Sequence, residues 1–194
     1  MKLESLTTAL LLVVSPQVPG QTYRAGPLLQ DVSQRPAENA LRHDTLVVPF
    51  HEGSARLSDR MRRQLTQLVS KDRATGILYN VYVGVWSDKP FPSNPTDSLP
   101  AADQELAHAR AKALHDFLVR ELHLPQVFIY NMARGTNLTA EVLKTEDAEA
   151  KRYVAGAKVA VGPDNREEIV KFRQYGKPSR AVVVVEVLPR SVTH

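Results

Sequence analysis

Two periods of apolar residues follow each other along this chain, one suited to strands and one to helices. Ile77 to Trp86 is the clearest strand, with Ile77, Tyr79, Val81, Val83 and Val85 on one face of a two-residue repeat. Thr45-Leu46-Val47-Val48-Pro49-Phe50 is a shorter β-rich run that ends in the turn His51-Glu52-Gly53-Ser54. Pro49 lacks a backbone donor, which places this strand at a sheet edge or ends it there. Val127-Phe128-Ile129-Tyr130 reads as a third strand. Ala181 to Val187 is a fourth, apolar on both faces, as a central strand covered on two sides is.

Helical spacing fills the intervals. Ser58 is an N-cap with Asp59 at the positive end of the dipole, and Met61, Leu65, Leu68 and Val69 follow as one stripe. Arg60, Arg62 and Arg63 lie off that stripe, which favours a solvated helix face over a basic patch. A second helix is expected from Ala101 to Glu121, stopped by Pro125, after a loop punctuated by Pro90, Pro92 and Pro95. The polar segment 138–175 carries helical stretches at Glu141–Val154 and Glu167–Tyr175. The order β-α-β-α-β-(α)-β, with no internal repeat, predicts an α/β layer structure of one sheet packed against helices. Each crossover is long enough to join parallel neighbours.

The N-terminal part follows a different pattern. Met1-Lys2 precedes an apolar run from Leu6 to Val14, and Val18-Pro19-Gly20 offers small residues at its exit. The run is shorter than the roughly 20 residues that span a bilayer and suits a secretory signal over residues 1–20, with a buried N-terminal strand as the competing reading. Residues 21–43, with Gly26, Pro27, Pro36 and scattered polar side chains, read as a linker or extended arm. The folded domain is placed at 44–190.

Composition narrows the function classes. The 194 residues are 43% hydrophobic and 24% charged, enough for one packed domain plus tails. A net charge of +4 is a mild excess, unlike the dense basic stripe of a nucleic-acid binder, and compatible with solubility or with an anionic polymer. With no cysteine there is no disulfide framework, thiolate zinc site or cysteine nucleophile. His108 and His115 stand seven apart without a third ligand, so no metal is expected. Gly53-Ser54 lacks the flanks of a nucleophile elbow, and nine glycines are too scattered for a phosphate loop. Asn137-Leu138-Thr139 matches a glycosylation acceptor by pattern only. No cofactor and no catalysis are expected.

The second helix holds the informative anomaly. With Leu106 set at zero and about 100° per residue, Ala113 falls near −20°, Phe117 near +20°, Leu114 near +80° and Arg110 near +40°, inside the apolar arc. A guanidinium there needs an acceptor. It can snorkel, form a structural ion pair, or serve a ligand. Asp103 lies on the same side of the helix. Asp88 stands at the carboxyl end of the best strand, where α/β folds place ligands. Together Asp88 and Arg110 form a bipolar pair able to take the ammonium and the carboxylate of a zwitterion. Asp88 and Asp103 are also the one carboxylate pair a carbohydrate-cleaving enzyme could use, a reading that the zwitterion site explains better.

At these residues the sequence resembles the OmpA-like peptidoglycan-associating domain. The similarity lies in Val48-Pro49-Phe50-His51-Glu52-Gly53-Ser54-Ala55-Arg56-Leu57, in Trp86-Ser87-Asp88, in Asp103-Gln104-Glu105-Leu106-Ala107-His108-Ala109-Arg110-Ala111, and in Ser179-Arg180-Ala181-Val182-Val183. It runs over about residues 44–188. The resemblance implies an α/β (α+β) sandwich with one mixed sheet. It implies that Asp88 and Arg110 bind the diaminopimelate of a peptidoglycan stem, with Asp103 in place of a site-lining asparagine and Ser87 and Arg180 beside them. The implied protein is periplasmic, associated with the cell wall or outer membrane, and non-catalytic. The alternative is a structural subunit of an outer-membrane or secretion assembly, in which segment 138–175 and the arm 21–43 reach neighbouring proteins. Neither nucleic acid nor a transmembrane segment of the mature chain enters either reading.

Overall fold

The computed structural model describes residues 40–137, 145–156 and 166–190. The signal peptide and most of the arm expected at the N-terminus lie outside the described residues. Within them, four strands form one sheet: β1 (Arg42–Pro49), β2 (Gly76–Val85), β3 (Val127–Asn131) and β4 (Arg180–Pro189), in the order β1-β4-β2-β3. The last strand of the chain is inserted between the first two and runs antiparallel to both, while β2 and β3 are parallel, joined by a right-length helical crossover. The sheet is therefore mixed, and the fold is α+β. β4 is central, and β1 is an edge strand with Pro49 as its last residue, where a missing donor costs no ladder bond.

The expectation for β2 needs one correction. Leu78 pairs with Val187 and Val81 with Val185, so one extra residue of β2 bulges out between them. The bulge reverses the alternation. Leu78, Val81, Val83 and Val85 face one core, and Ile77 is 59% exposed.

Helices cover both faces of the sheet. On the first face lie α1 (Asp59–Thr75) and α2 (Ala101–Asp116). In α1 the Ser58 hydroxyl accepts from the N–H of Met61 at 3.3 Å, and Met61, Leu65 and Val69 pack on Val81, Val83, Val183 and Val185. Each such side chain contributes about 1.5–3 kcal/mol on burial. The expected helix reaches Glu121, but after Asp116 it continues as a π-helical turn, Phe117–Glu121, whose cap N–H at Leu122 reaches the Phe117 carbonyl. The wider turn lets Phe117 and Leu118, adjacent in sequence, both face the core. The buried face of α2 is also rotated from the expected arc. Ala107, Arg110, Ala111 and Leu114 are buried, and Leu106 is only half-buried.

The second face is covered by α3 (Glu146–Val154) and α4 (Glu167–Tyr175), the described parts of the polar segment 138–175. Ile169 and Phe172 of α4 and Ala150 of α3 pack on Tyr82, Trp86, Tyr130, Val182 and Val184. Phe172 meets Trp86 and Tyr130 edge-on, with ring centroids 6.4 and 5.3 Å apart. The helical stretch expected from Glu141 starts at Glu146, capped by the Thr145 hydroxyl; residues 141–144 lie outside the described residues.

Candidate functional site

The carboxyl end of β2 is where the chain gathers its unusual groups. Three connections meet there: the loop after β1, the residues following β2, and the approach to β4. Phe50 N–H donates to the Ser179 carbonyl at 2.8 Å, Ser179 N–H to the Ser87 carbonyl at 2.7 Å, and Trp86 N–H to the Arg180 carbonyl at 3.0 Å. These bonds fix the loops to one another before any side chain is counted.

Asp88 sits at the centre. Its Oδ1 accepts from the Ser179 hydroxyl and from Arg110 Nη2, and its Oδ2 from the Gly53 N–H, all at 2.6 Å. Gly53 has φ +67°, a left-handed conformation that turns its N–H towards the carboxylate. Ser179 has φ +59°, which costs a residue with a Cβ roughly 1–2 kcal/mol. Its bonds to Ser87 and Asp88 offset that strain. Burial pushes the Asp88 carboxyl up, but the Gly53 N–H, the Ser179 hydroxyl and the Arg110 guanidinium outweigh it and hold its pKa below the usual carboxylate value.

Arg110 reaches this point from α2 and is fully buried. Its Nε donates to the Ser54 carbonyl at 2.8 Å, Nη1 to the Trp86 carbonyl at 3.0 Å, and Nη2 to the His51 carbonyl at 3.1 Å as well as to Asp88. The guanidinium carbon lies 5.0 Å from the centre of the Phe50 ring. Of the roles open to Arg110, the structure displays the ion pair, extended by three backbone carbonyls.

The remaining sequence-derived residues surround the pair. Ser87 is fully buried, and its Oγ accepts from the Lys89 N–H at 3.1 Å, so it shapes the turn after β2. Arg180 is half-buried at the start of β4 and holds Trp86 through its carbonyl. Asp103 pairs with Lys89, not with Arg110: Oδ2 lies 2.9 Å from Lys89 Nζ. The proline-rich loop beyond Lys89 is pinned to the segment after β3, with Leu99 N–H on the Ala133 carbonyl, Thr136 N–H on the Pro95 carbonyl and Gly135 N–H on Ser98 Oγ. The site thus offers a densely bonded Asp88–Arg110 centre and, beside it, a Lys89–Asp103 pair whose lysine is exposed.

Sequence reasoning missed a set of buried ionisable groups away from this site. Glu186 is fully buried on β4, accepting from Asn80 Nδ2 at 2.8 Å and lying 3.4 Å from His43 Nε2. Glu168 of α4 and Asp72 of α1 are also buried. The signal for Glu186 was available, a lone carboxylate inside a run of valines. Among the described residues, no group of three histidines or carboxylates could hold a metal ion, and no helix is long and apolar enough to cross a membrane.

No protein-family model matches the chain. No curated protein matches it either. Among solved structures, the OmpA-like domain of FopA1 from Francisella tularensis subsp. tularensis SCHU S4 is similar at 12% identity, over 80% of this chain and 79% of that chain, with a TM-score of 0.40.

Proposed function

We propose that this domain is a non-catalytic, periplasmic module that binds peptidoglycan through the diaminopimelate of its peptide stem and so anchors an envelope structure to the cell wall. One observation carries the reading. The four sequence segments that resemble the OmpA-like domain, spread from Val48 to Val183, converge at one end of the sheet, where Asp88 is bonded at once to Gly53, Arg110 and Ser179. Convergence of this kind is what a shared binding site requires and what four unrelated chance matches would lack. The half-buried Asp103, paired with the exposed Lys89, adds a carboxylate beside this centre for the ammonium of a zwitterionic ligand.

A second reading has its own observation. Arg110 is enclosed and commits its donors to protein carbonyls, as it would in a domain kept as a scaffold for an outer-membrane or secretion assembly. Co-sedimentation with purified diaminopimelate-type peptidoglycan separates the two. On the first reading the protein pellets with the wall, soluble diaminopimelate releases it, and Asp88→Asn weakens pelleting while the variant stays folded. Protein that remains in the supernatant under all conditions would overturn wall binding and favour the scaffold.

A further inference from the structure

The wall-binding reading leaves open which group receives the ligand's ammonium, and the following inference rests on that reading. Asp88 already accepts three hydrogen bonds at 2.6 Å from its own protein. A cation entering there would have to break a network that also fixes three loops. Asp103 is differently bonded. It lies in the first turn of α2 with its side chain 12% exposed against 17% for Asp88, and its ion-pair partner is Lys89, 55% exposed at the end of a long flexible stem. The Lys89 backbone is held by Ser87 Oγ, so the side chain can swing away while the turn stays in place.

We propose that Asp103 is the residue of this site that recognises a primary ammonium, and that Lys89 is a built-in competitor whose Nζ occupies the ligand's position. The exchange replaces one ammonium by another of equal charge, so Asp103 is never left as an unpaired, partly buried carboxylate. Lys89 regains rotamer freedom on release into water, which offsets part of the cost of fixing the ligand. A ligand without a free amine has nothing to offer Asp103 and leaves Lys89 in place. The pair therefore selects for amine-bearing wall peptides and weakens binding of all others.

The test is a calorimetric titration with a soluble wall peptide carrying diaminopimelate, and with the same peptide acetylated on its free amine. The proteins are the wild type, Lys89→Met, Asp103→Asn and the double variant. Lys89→Met keeps the apolar stem and removes the charge. It should bind the free-amine peptide roughly two- to fivefold more tightly, the factor an exposed ion pair is worth. Asp103→Asn should bind it more weakly than the wild type, and the Lys89→Met gain should vanish both in the Asp103→Asn background and with the acetylated peptide. The inference is overturned if Lys89→Met binds no better than the wild type, or if its gain survives acetylation or the loss of Asp103. Wild-type binding without a Lys89 effect sinks this inference alone. Failure of every protein to bind either peptide sinks wall binding and this inference with it.

Discussion

Arg110 Nη2 lies 2.6 Å from Asp88 Oδ1, yet the two side chains sit at different depths, the guanidinium with no exposed surface and the carboxylate with 17%. The cation is the more deeply committed partner, since it also holds the backbone carbonyls of His51, Ser54 and Trp86. Arg110→Ala should therefore be the more damaging change, removing the bonds to His51, Ser54 and Trp86 together with the charge pair, at a cost of about 3–5 kcal/mol. Asp88→Asn keeps the shape, one acceptor oxygen and the three carbonyls on Arg110, but leaves the guanidinium without a counter-charge, and should cost about 1–3 kcal/mol. Urea denaturation reads both as shifts of the midpoint at constant slope. Equal costs for the two variants would mean that the carbonyl bonds of Arg110 add nothing to the charge pair.

The opposite end of the sheet carries a second carboxylate cluster with a pH signature. Asp72 is buried in α1, accepts from Arg42 Nη2 at 2.9 Å, and neighbours Asp44. Burial, then the bond and charge of Asp44, push its pKa up to about 6 against the pull of Arg42. Asp44 moves the other way, held low first by its bond with Asp72 and then by Lys71 and Arg42. A folded pKa raised from 3.8 to about 6 means that Asp72 contributes stability below pH 3.8 and loses it as pH rises through 6. Asp72→Asn should remove that loss. It should leave stability near pH 3 unchanged and raise it at pH 7 by on the order of 1 kcal/mol, the opposing shift of Asp44 offsetting the rest. Denaturation curves at the two pH values provide the check.

Much of this architecture was readable from periodicity, and the exceptions have physical causes. The valine run of β4 announced a central strand because only a strand buried on both faces omits polar alternation, and Pro49 announced an edge. Asp88 and Arg110 stood out because a charge at a strand end and a charge inside an apolar arc both need partners. The bulge between Leu78 and Val81 was invisible because an inserted residue changes parity without changing composition. The true buried face of α2 was obscured because Ala107 and Ala111 carry too little hydrophobicity to mark it, although their small size lets the helix approach the sheet. Glu186 was passed over because its partners, His43 and Asn80, come from distant strands.

His43 and Glu186 should make stability depend on pH at the alkaline side. The hydrogen bond to Glu186 raises the His43 pKa above 6.5 against the opposing effect of burial, with the charges of Glu186, Glu168 and Glu167 adding to the rise. A histidine with a raised folded pKa contributes stability that is fully present below pH 6.5 and lost as pH climbs through the folded value. In an Asp72→Asn background, which removes the acidic contribution, stability should fall as pH rises above 6.5. His43→Gln should flatten that fall. A His43→Gln protein whose stability follows the same pH curve as its parent would show that another group titrates there.

Two glycines should respond to alanine for unlike reasons, and the stranger backbone should be the milder case. Gly53 has φ +67°, but a Cβ added to it meets nothing within 4 Å, so Gly53→Ala carries only the conformational cost of about 1–2 kcal/mol. Gly176, the cap of α4, has an ordinary φ of −66°, yet a Cβ there would run into the Trp86 indole and the Phe172 carbonyl. Trp86 is fully packed between sheet and helix and cannot yield without disturbing Phe172, so Gly176→Ala should cost about 1–3 kcal/mol from overpacking and exceed the Gly53 effect. Trp86 is the single tryptophan of the chain, which gives the comparison a direct optical readout. Gly176→Ala should shift the native emission spectrum and lower the melting temperature. Gly53→Ala should lower the melting temperature by less and leave the spectrum unchanged. The reverse order would place the tighter constraint in the turn beside Asp88, not under the second helical layer.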